Sequence, residues 1–307
     1  MRYLVTGAAG FIGSHLAAGL VRNGDTVVGV DSFSDYYARE LKEQNLSPLA
    51  GDERFRLVES DARELDGGIL EGIDGVFHLA AQAGVRGSWG NGFERYVHDN
   101  VLATQHIFEL AAQGGVRVVF ASSSSVYGNA EAHPTPESAT LQPISPYGVT
   151  KAACESLAWA YADQFGLDVA ALRFFTVYGP GQRPDMAFTR LARCLLEERP
   201  FTLFGDGTQT RDFTYVEDAV AATMATMRAA QAGSVYNVGG GERASMLEVI
   251  AAFEENAGHP LLLDLREGAA GDVQHTGADT TAIRRDTGWE PRTSLRDGIA
   301  SQWASTA

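Results

Sequence analysis

The stretch VTGAAGFIGSHL, Val5–Leu16, decides how the rest of the chain is read. It sets Gly7, Gly10 and Gly13 between the apolar run RYLVT and an amphipathic run that stops at Gly24. Glycines there let the backbone turn sharply and approach a pyrophosphate, which then sits on the N-terminus of the first helix. A glycine triplet alone is common, but this one has a strand before it, a helix after it, and Asp31 closing the next apolar run, TVVGVD. A carboxylate in that position accepts hydrogen bonds from a ribose 2′-hydroxyl and repels a 2′-phosphate. Ala8 and Ala9 bring no basic partner for such a phosphate, and Ser32 and Phe33 follow the aspartate. The expected cofactor is NAD rather than NADP.

Further β-branched runs (FRLVES, GVFHLA, VRVVFASS, DVAALRFF) alternate with helical patterns through the first half. That alternation predicts a parallel sheet covered on both faces. With right-handed crossovers it becomes an α/β, Rossmann-type doubly wound sheet, with ligands at the carboxyl ends of the strands. Residues 1–175 are expected to form the NAD-binding domain. Residues 211–241 are expected to return to that domain: QTRDFTYVEDAVAATMATMRAA, which starts at Gln209, reads as a helix and GSVYNVGGG as a strand. Residues 176–307 otherwise make a smaller C-terminal α/β substrate lobe.

The chain has 307 residues and a formal charge of −15, which argues against nucleic acid and anionic membranes as partners. Any anionic substrate then needs a local basic pocket. Cys154 and Cys194 lack metal spacing and read as reduced thiols, and the histidines form no HxxxH or HxxH pair, so no metal site is expected. No secretory leader precedes the first strand, and no apolar run approaches the ~18 residues of a membrane span. A cytoplasmic enzyme is expected.

SPYGVTK puts Tyr147 and Lys151 at i and i+4, on one face of a helix. A tyrosine is a poor base at neutral pH, but a neighbouring ammonium and a positive nicotinamide ring favour its phenolate. An exposed YxxxK pair is common on helices, so the pair gains meaning only from its surroundings. Upstream, VVFASSSSVYG ends a strand in Ser122–Ser125, where one hydroxyl can share the substrate proton.

Together the GxxGxxG loop, the strand-end serines before VYG, and SPYGVTK resemble the extended short-chain dehydrogenase/reductase family of nucleotide-sugar epimerases and dehydratases. HLAAQ, HDNVLATQHIFELA and GDGTQTRDFTYVEDAV occur in the expected order, so the resemblance spans nearly the whole chain. It implies catalytic Ser123, Tyr147 and Lys151. It also implies cofactor contacts from Gly7, Gly10, Phe11, Ile12, Gly13, Asp31, Asp61, Ala62, Leu79, Gln82 and Asn100, besides Tyr147 and Lys151. On a UDP-sugar it implies Arg211 at the pyrophosphate and Asp272 at the uridine ribose. The family has an arginine just before that GD; here the segment reads LREGAAGD, longer than the pattern, and Arg266 is expected in the role. A homodimer through helices near 93–112 and 147–165 is also implied.

Dehydratases of the family carry Asp-Glu after the catalytic Ser/Thr, and UDP-glucuronate decarboxylases keep a glutamate before VY. Here Ser124 and Ser125 stand instead, so dehydration lacks its acid and base. Reversible oxidation at C4 remains. Neutral-sugar 4-epimerases usually show asparagine at Thr176. FTVYGPGQRPDMA, with LAAQAGVR ending in Arg86 and DSFSDYY after Asp31, is similar to UDP-glucuronate 4-epimerases. There the threonine and arginine, here Thr176 and Arg183, face the C6 carboxylate. The fork of a guanidinium matches that group. A neutral-sugar 4-epimerase is the alternative; a UDP-glucuronate decarboxylase or a non-catalytic NAD-binding protein fits less well.

Overall fold

The apolar runs pair into one parallel sheet in the computed structural model, which describes residues 1–267, 271 and 273–306. In chain order the strands are β1 (Arg2–Thr6), β2 (Thr26–Asp31), β3 (Phe55–Glu59), β4 (Gly75–His78), β5 (Arg117–Ser123), β6 (Val169–Phe174), β7 (Thr176–Tyr178), β8 (Phe201–Phe204), β9 (Thr210–Tyr215), β10 (Val235–Val238), β11 (Arg243–Ser245) and β12 (Leu263–Arg266). The helices that position the cleft are α1 (Phe11–Arg22), α2 (Arg39–Leu46), α3 (Phe93–Tyr96), α4 (Ala103–Gly114), α5 (Pro146–Phe165), α6 (Ala187–Leu196) and α7 (Val216–Ala229). The main sheet runs β10-β6-β5-β4-β1-β2-β3, a Rossmann-type order. Its direction of winding reverses between β1 and β4, so their carboxyl ends open a crevice.

Alternation along each strand supplies two cores. Tyr3 and Val5 of β1 join Phe77 and Val119 on the side packed with α1 and α7. Leu4 points the other way, with Val76, Val118 and Phe120, toward Ile107 of α4 and Ala158 of α5. Burial on both faces is what continuous apolar strands require.

The run QTRDFTYVEDAV differs from its reading as a single helix. Thr210–Tyr215 is strand β9, parallel to β7 and antiparallel to β11 in a separate small sheet. Its aromatic and β-branched residues, Phe213, Thr214 and Tyr215, are buried, which suits a strand. The helix begins only at Val216, where Glu217 and Asp218 meet the positive end of its dipole. Strand β10 does join the main sheet, beside β6. Thr176 opens β7 and pairs with Phe213.

One buried network ties α5 to the sheet. Glu155 accepts from Arg173 of β6 at 2.9 and 2.6 Å and from the Ser122 hydroxyl of β5 at 2.5 Å. Arg173 also donates to the Tyr127 hydroxyl and the Glu137 carbonyl. Side-chain exposure of the Arg173–Glu155 pair is only 5% and 7%. Removing one partner strands the other charge. Glu155→Ala is therefore expected to cost about 3–5 kcal/mol of stability, read from urea unfolding. A change below about 1 kcal/mol would contradict a paired, buried charge.

Candidate active site

The crevice continues into the small sheets as a cleft of about 1010 Å³. At its cofactor end Gly7 has φ +72°, a conformation that side chains rarely adopt. A Cβ on Gly13 would lie 2.0 Å from the Gly7 carbonyl oxygen, so helix and loop meet at a distance only glycine permits. Gly10 caps α1 without a side-chain hydrogen bond, and no acidic residue occupies the first turn. The N–H groups and dipole are thus left to an anion. Asp31 accepts from the Ala9 and Phe33 amides at 3.1 and 2.9 Å, which fixes its carboxylate at the cleft wall. These features fit a dinucleotide.

The sequence missed Lys42. Its Nζ reaches from α2 to Asp31 Oδ1 at 3.1 Å, and both side chains are buried. The basic neighbour absent beside the glycine loop thus arrives from eleven residues away, with no local pattern to announce it.

Phe11, Ile12, Asp61, Ala62, Leu79 and Gln82 all line the cleft. Asp61 is held by the backbone and guanidinium of Arg63, whose hydrogen bonds keep its carboxyl below the usual range. Asn100 does not line it. A π-helical turn, Val97–Leu102, aims this fully buried side chain at the Gln82 amide (2.7 Å), the Gln82 carbonyl (3.0 Å) and Thr150 Oγ1 (3.0 Å). Its place is behind the wall, joining the Gln82 loop to α5.

The catalytic candidates do converge. Ser145 caps α5 by accepting from the Gly148 amide at 3.1 Å, and Pro146 follows at the first helical position. The helix then presents Tyr147 and Lys151 to the cleft on one face. A Cβ at Gly148 would lie 2.5 Å from the Ser125 carbonyl oxygen, so the helix start presses directly on the serine turn. Ser123 Oγ accepts from the Ser125 amide at 3.2 Å and lies 3.1 Å from Ser125 Oγ. Lys151 Nζ donates to the Ala121 carbonyl at 2.8 Å. The Tyr147 ring meets Tyr96 edge-on at 6.0 Å. Burial pushes Tyr96, and Tyr37 at the cleft wall, up to about 12, which keeps both phenols protonated. It pushes His78, held between Thr6 and Thr104, down to about 3 and so keeps that ring neutral.

At the substrate end Ser124, Ser125, Thr176, Arg183, Arg86 and Arg211 line the same cleft. Arg86 stacks on Phe204 at 4.1 Å, and Arg211 donates to the Thr210 and Gln274 carbonyls. Arg266 is elsewhere: it is exposed at the end of β12 and its Nε bonds Asp264 at 3.0 Å. Two residues apart on a strand, that pair shares one face, and neither residue is among those lining the cleft. Asp272 lies outside the described residues. Sequence reading also missed Arg190 and Asp185, which line the cleft. Among the described residues no glutamate lines it.

Residues 3–239 match the model of the NAD dependent epimerase/dehydratase family. A UDP-glucuronate 4-epimerase of Thermodesulfobacterium geofontis is 38% identical, over 97% of this chain and 93% of its own. A Bacillus subtilis protein described as an uncharacterized UDP-glucose epimerase, YtcB, is 43% identical over 99% and 97%. The crystal structure of UDP-glucuronic acid 4-epimerase from Bacillus cereus, in complex with UDP-glucuronic acid and NAD, superposes with a TM-score of 0.97 at 40% identity, covering 100% of this chain and 99% of that one.

Protein purified without added nicotinamide is expected to carry NAD, and Gly13→Ala to lose most of it, because the added methyl collides with the Gly7 carbonyl. Release and quantification of bound cofactor checks this. Equal NAD content in the two proteins would mean that the tight loop does not hold it.

Proposed function

The chain belongs to the NAD-dependent epimerase/dehydratase family, and on that premise we propose that it interconverts UDP-glucuronate and UDP-galacturonate by epimerisation at C4. What carries this reading is the composition of one wall: serine and threonine hydroxyls with Arg183, and no glutamate among the described residues. Hydroxyls and a guanidinium accommodate a C6 carboxylate. A wall without a glutamate lacks the carboxylate that the family's dehydratases and decarboxylases use.

Bound NAD supplies a hydride acceptor for C4 and a donor to the opposite face. Tyr147, as phenolate beside the Lys151 ammonium, takes the 4-hydroxyl proton as the C–H bond breaks. The Ser123 hydroxyl shares that proton. After the 4-keto sugar has turned about its link to the diphosphate, Tyr147 returns the proton to the C4 oxygen. Atoms and electrons balance over the cycle, so no net redox change occurs. Arg211 and Arg86 neutralise the diphosphate, which anchors the sugar while it turns.

The 4-keto acid is prone to lose CO2 when its carboxylate bond aligns with the carbonyl π system. Arg183, with Thr176 leaving room beside it, holds the carboxylate away from that alignment. On the same reading two copies pair through α5 and its neighbour α4: α5 turns Val149, Trp159 and Phe165 outward, with Trp159 70% exposed. The compartment is the cytoplasm, consistent with buried, unpaired Cys154 and Cys194. A UDP-glucose 4-epimerase is the second reading, favoured by the description of the Bacillus subtilis relative.

Tyr147→Phe is expected to lower turnover of UDP-glucuronate ~10²–10⁴-fold, the usual cost of losing a general base, with little change in UDP binding. Near-normal turnover would end the acid–base assignment. Arg183→Ala should weaken use of UDP-glucuronate about ten- to a hundredfold, the worth of one charge-assisted hydrogen bond. Any activity on UDP-glucose should change far less, and a larger share of turnovers should end as UDP-4-keto-pentose and CO2. Unchanged UDP-glucuronate kinetics with no pentose would remove Arg183 from the carboxylate site and favour the neutral-sugar reading.

A further inference from the structure

Arg183 faces the cleft with a carboxylate already on it. Its Nε and Nη2 lie 3.0 and 3.1 Å from the two oxygens of Asp185. Asp185 Oδ2 also accepts from the Tyr36 hydroxyl at 3.2 Å, and the guanidinium carbon lies 5.9 Å from the Tyr36 ring centre. All three residues line the cleft. The Arg183 side chain is largely buried, at 18% exposure, whereas Asp185 is 40% exposed. Tyr36 comes from the loop that leaves Asp31, 149 residues away in sequence. A carboxylate opposed to the one the site is read to bind is an unexpected neighbour.

The chemistry gives it a use. A guanidinium has more than one donor edge, and Asp185 occupies the Nε–Nη2 edge, leaving Nη1 without a bond to Asp185. An acid sugar must be gripped at C6 before oxidation and let go when the 4-keto ring turns. A largely buried guanidinium with no other counter-ion resists that release, because the departing carboxylate leaves an uncompensated charge. A resident carboxylate removes the penalty and sets the plane of the fork.

We propose that Asp185, steadied by Tyr36, is a positioning residue that orients Arg183 and weakens its hold on the substrate, so that the acid sugar can turn between the two half-reactions. The inference rests on Arg183 as the carboxylate contact, and the test separates the two. In the holoenzyme, Asp185→Asn is expected to lower KM for UDP-glucuronate about tenfold, part of the worth of one charge-assisted hydrogen bond. It should lower kcat as well, with reduced nicotinamide accumulating during turnover as the keto sugar stays anchored. A merely structural role would raise KM or leave it unchanged. Binding of UDP alone should not move, which excludes a general gain in affinity for anions. Asp185→Glu should restore both constants toward those of the natural protein. In an Arg183→Ala background, Asp185→Asn should leave KM where it was. An unchanged or raised KM in Asp185→Asn, or the same fall without Arg183, would overturn the proposal. Acid preference surviving Arg183→Ala would instead sink the carboxylate contact itself.

Discussion

Glu155 holds α5 against the sheet, and the proposed chemistry depends on that hold. It accepts from Ser122, whose chain neighbour Ser123 faces the site, and from Arg173 on the adjacent strand. Lys151 precedes it by one helical turn and Tyr147 by two. The pair thus sets the helix against the strand end at which the serine turn begins. Gly148 completes the arrangement, since only a residue without Cβ lets the helix start approach the Ser125 carbonyl. Buried ion pairs are weak contributors to net stability, but breaking one is costly. Such a pair specifies position, and position is what a tyrosine, a lysine and a serine from two elements require.

Charge is the second constraint. On the proposed function, an acidic chain with a formal charge of −15 must still receive a dinucleotide and a substrate bearing a diphosphate and a carboxylate. Lys42, Arg86, Lys151, Arg183, Arg190 and Arg211 converge on one cleft and concentrate positive charge there. Two of these cations are tempered by resident carboxylates, Lys42 by Asp31 and Arg183 by Asp185. The cleft is therefore cationic without presenting unpaired forks at every point. That matters for a reaction whose intermediate must move while bound.

Much of this was legible in the sequence where the chemistry is local. The glycine loop, Asp31 and the Tyr147–Lys151 spacing each occupy a single element junction, and strand alternation follows from apolar period alone. What escaped depends on distant contacts. Lys42 meets Asp31 only because α2 folds back over the second strand end, and Tyr36 meets Asp185 across the cleft. Asn100 sits in a π-helical turn, which composition does not announce, and its side chain bonds the Gln82 backbone and Thr150. Arg266 was placed by counting back from a lengthened segment, and strand β12 turns it toward Asp264 instead. The run before Val216 was read as one helix with the residues after it, although its aromatic and β-branched residues favour a strand. Its pairing with β7 and β11 makes it a strand.

Transient oxidation at C4 of an acid sugar is the central claim, and isotope tracing tests it most directly. The purified protein, without added nicotinamide, is incubated in ordinary water with UDP-glucuronate deuterated at C4. The expected product is UDP-galacturonate that retains deuterium at C4, because the same hydride returns to the opposite face. Loss of the label to water, or failure to form UDP-galacturonate while UDP-glucose is converted to UDP-galactose, would contradict the account.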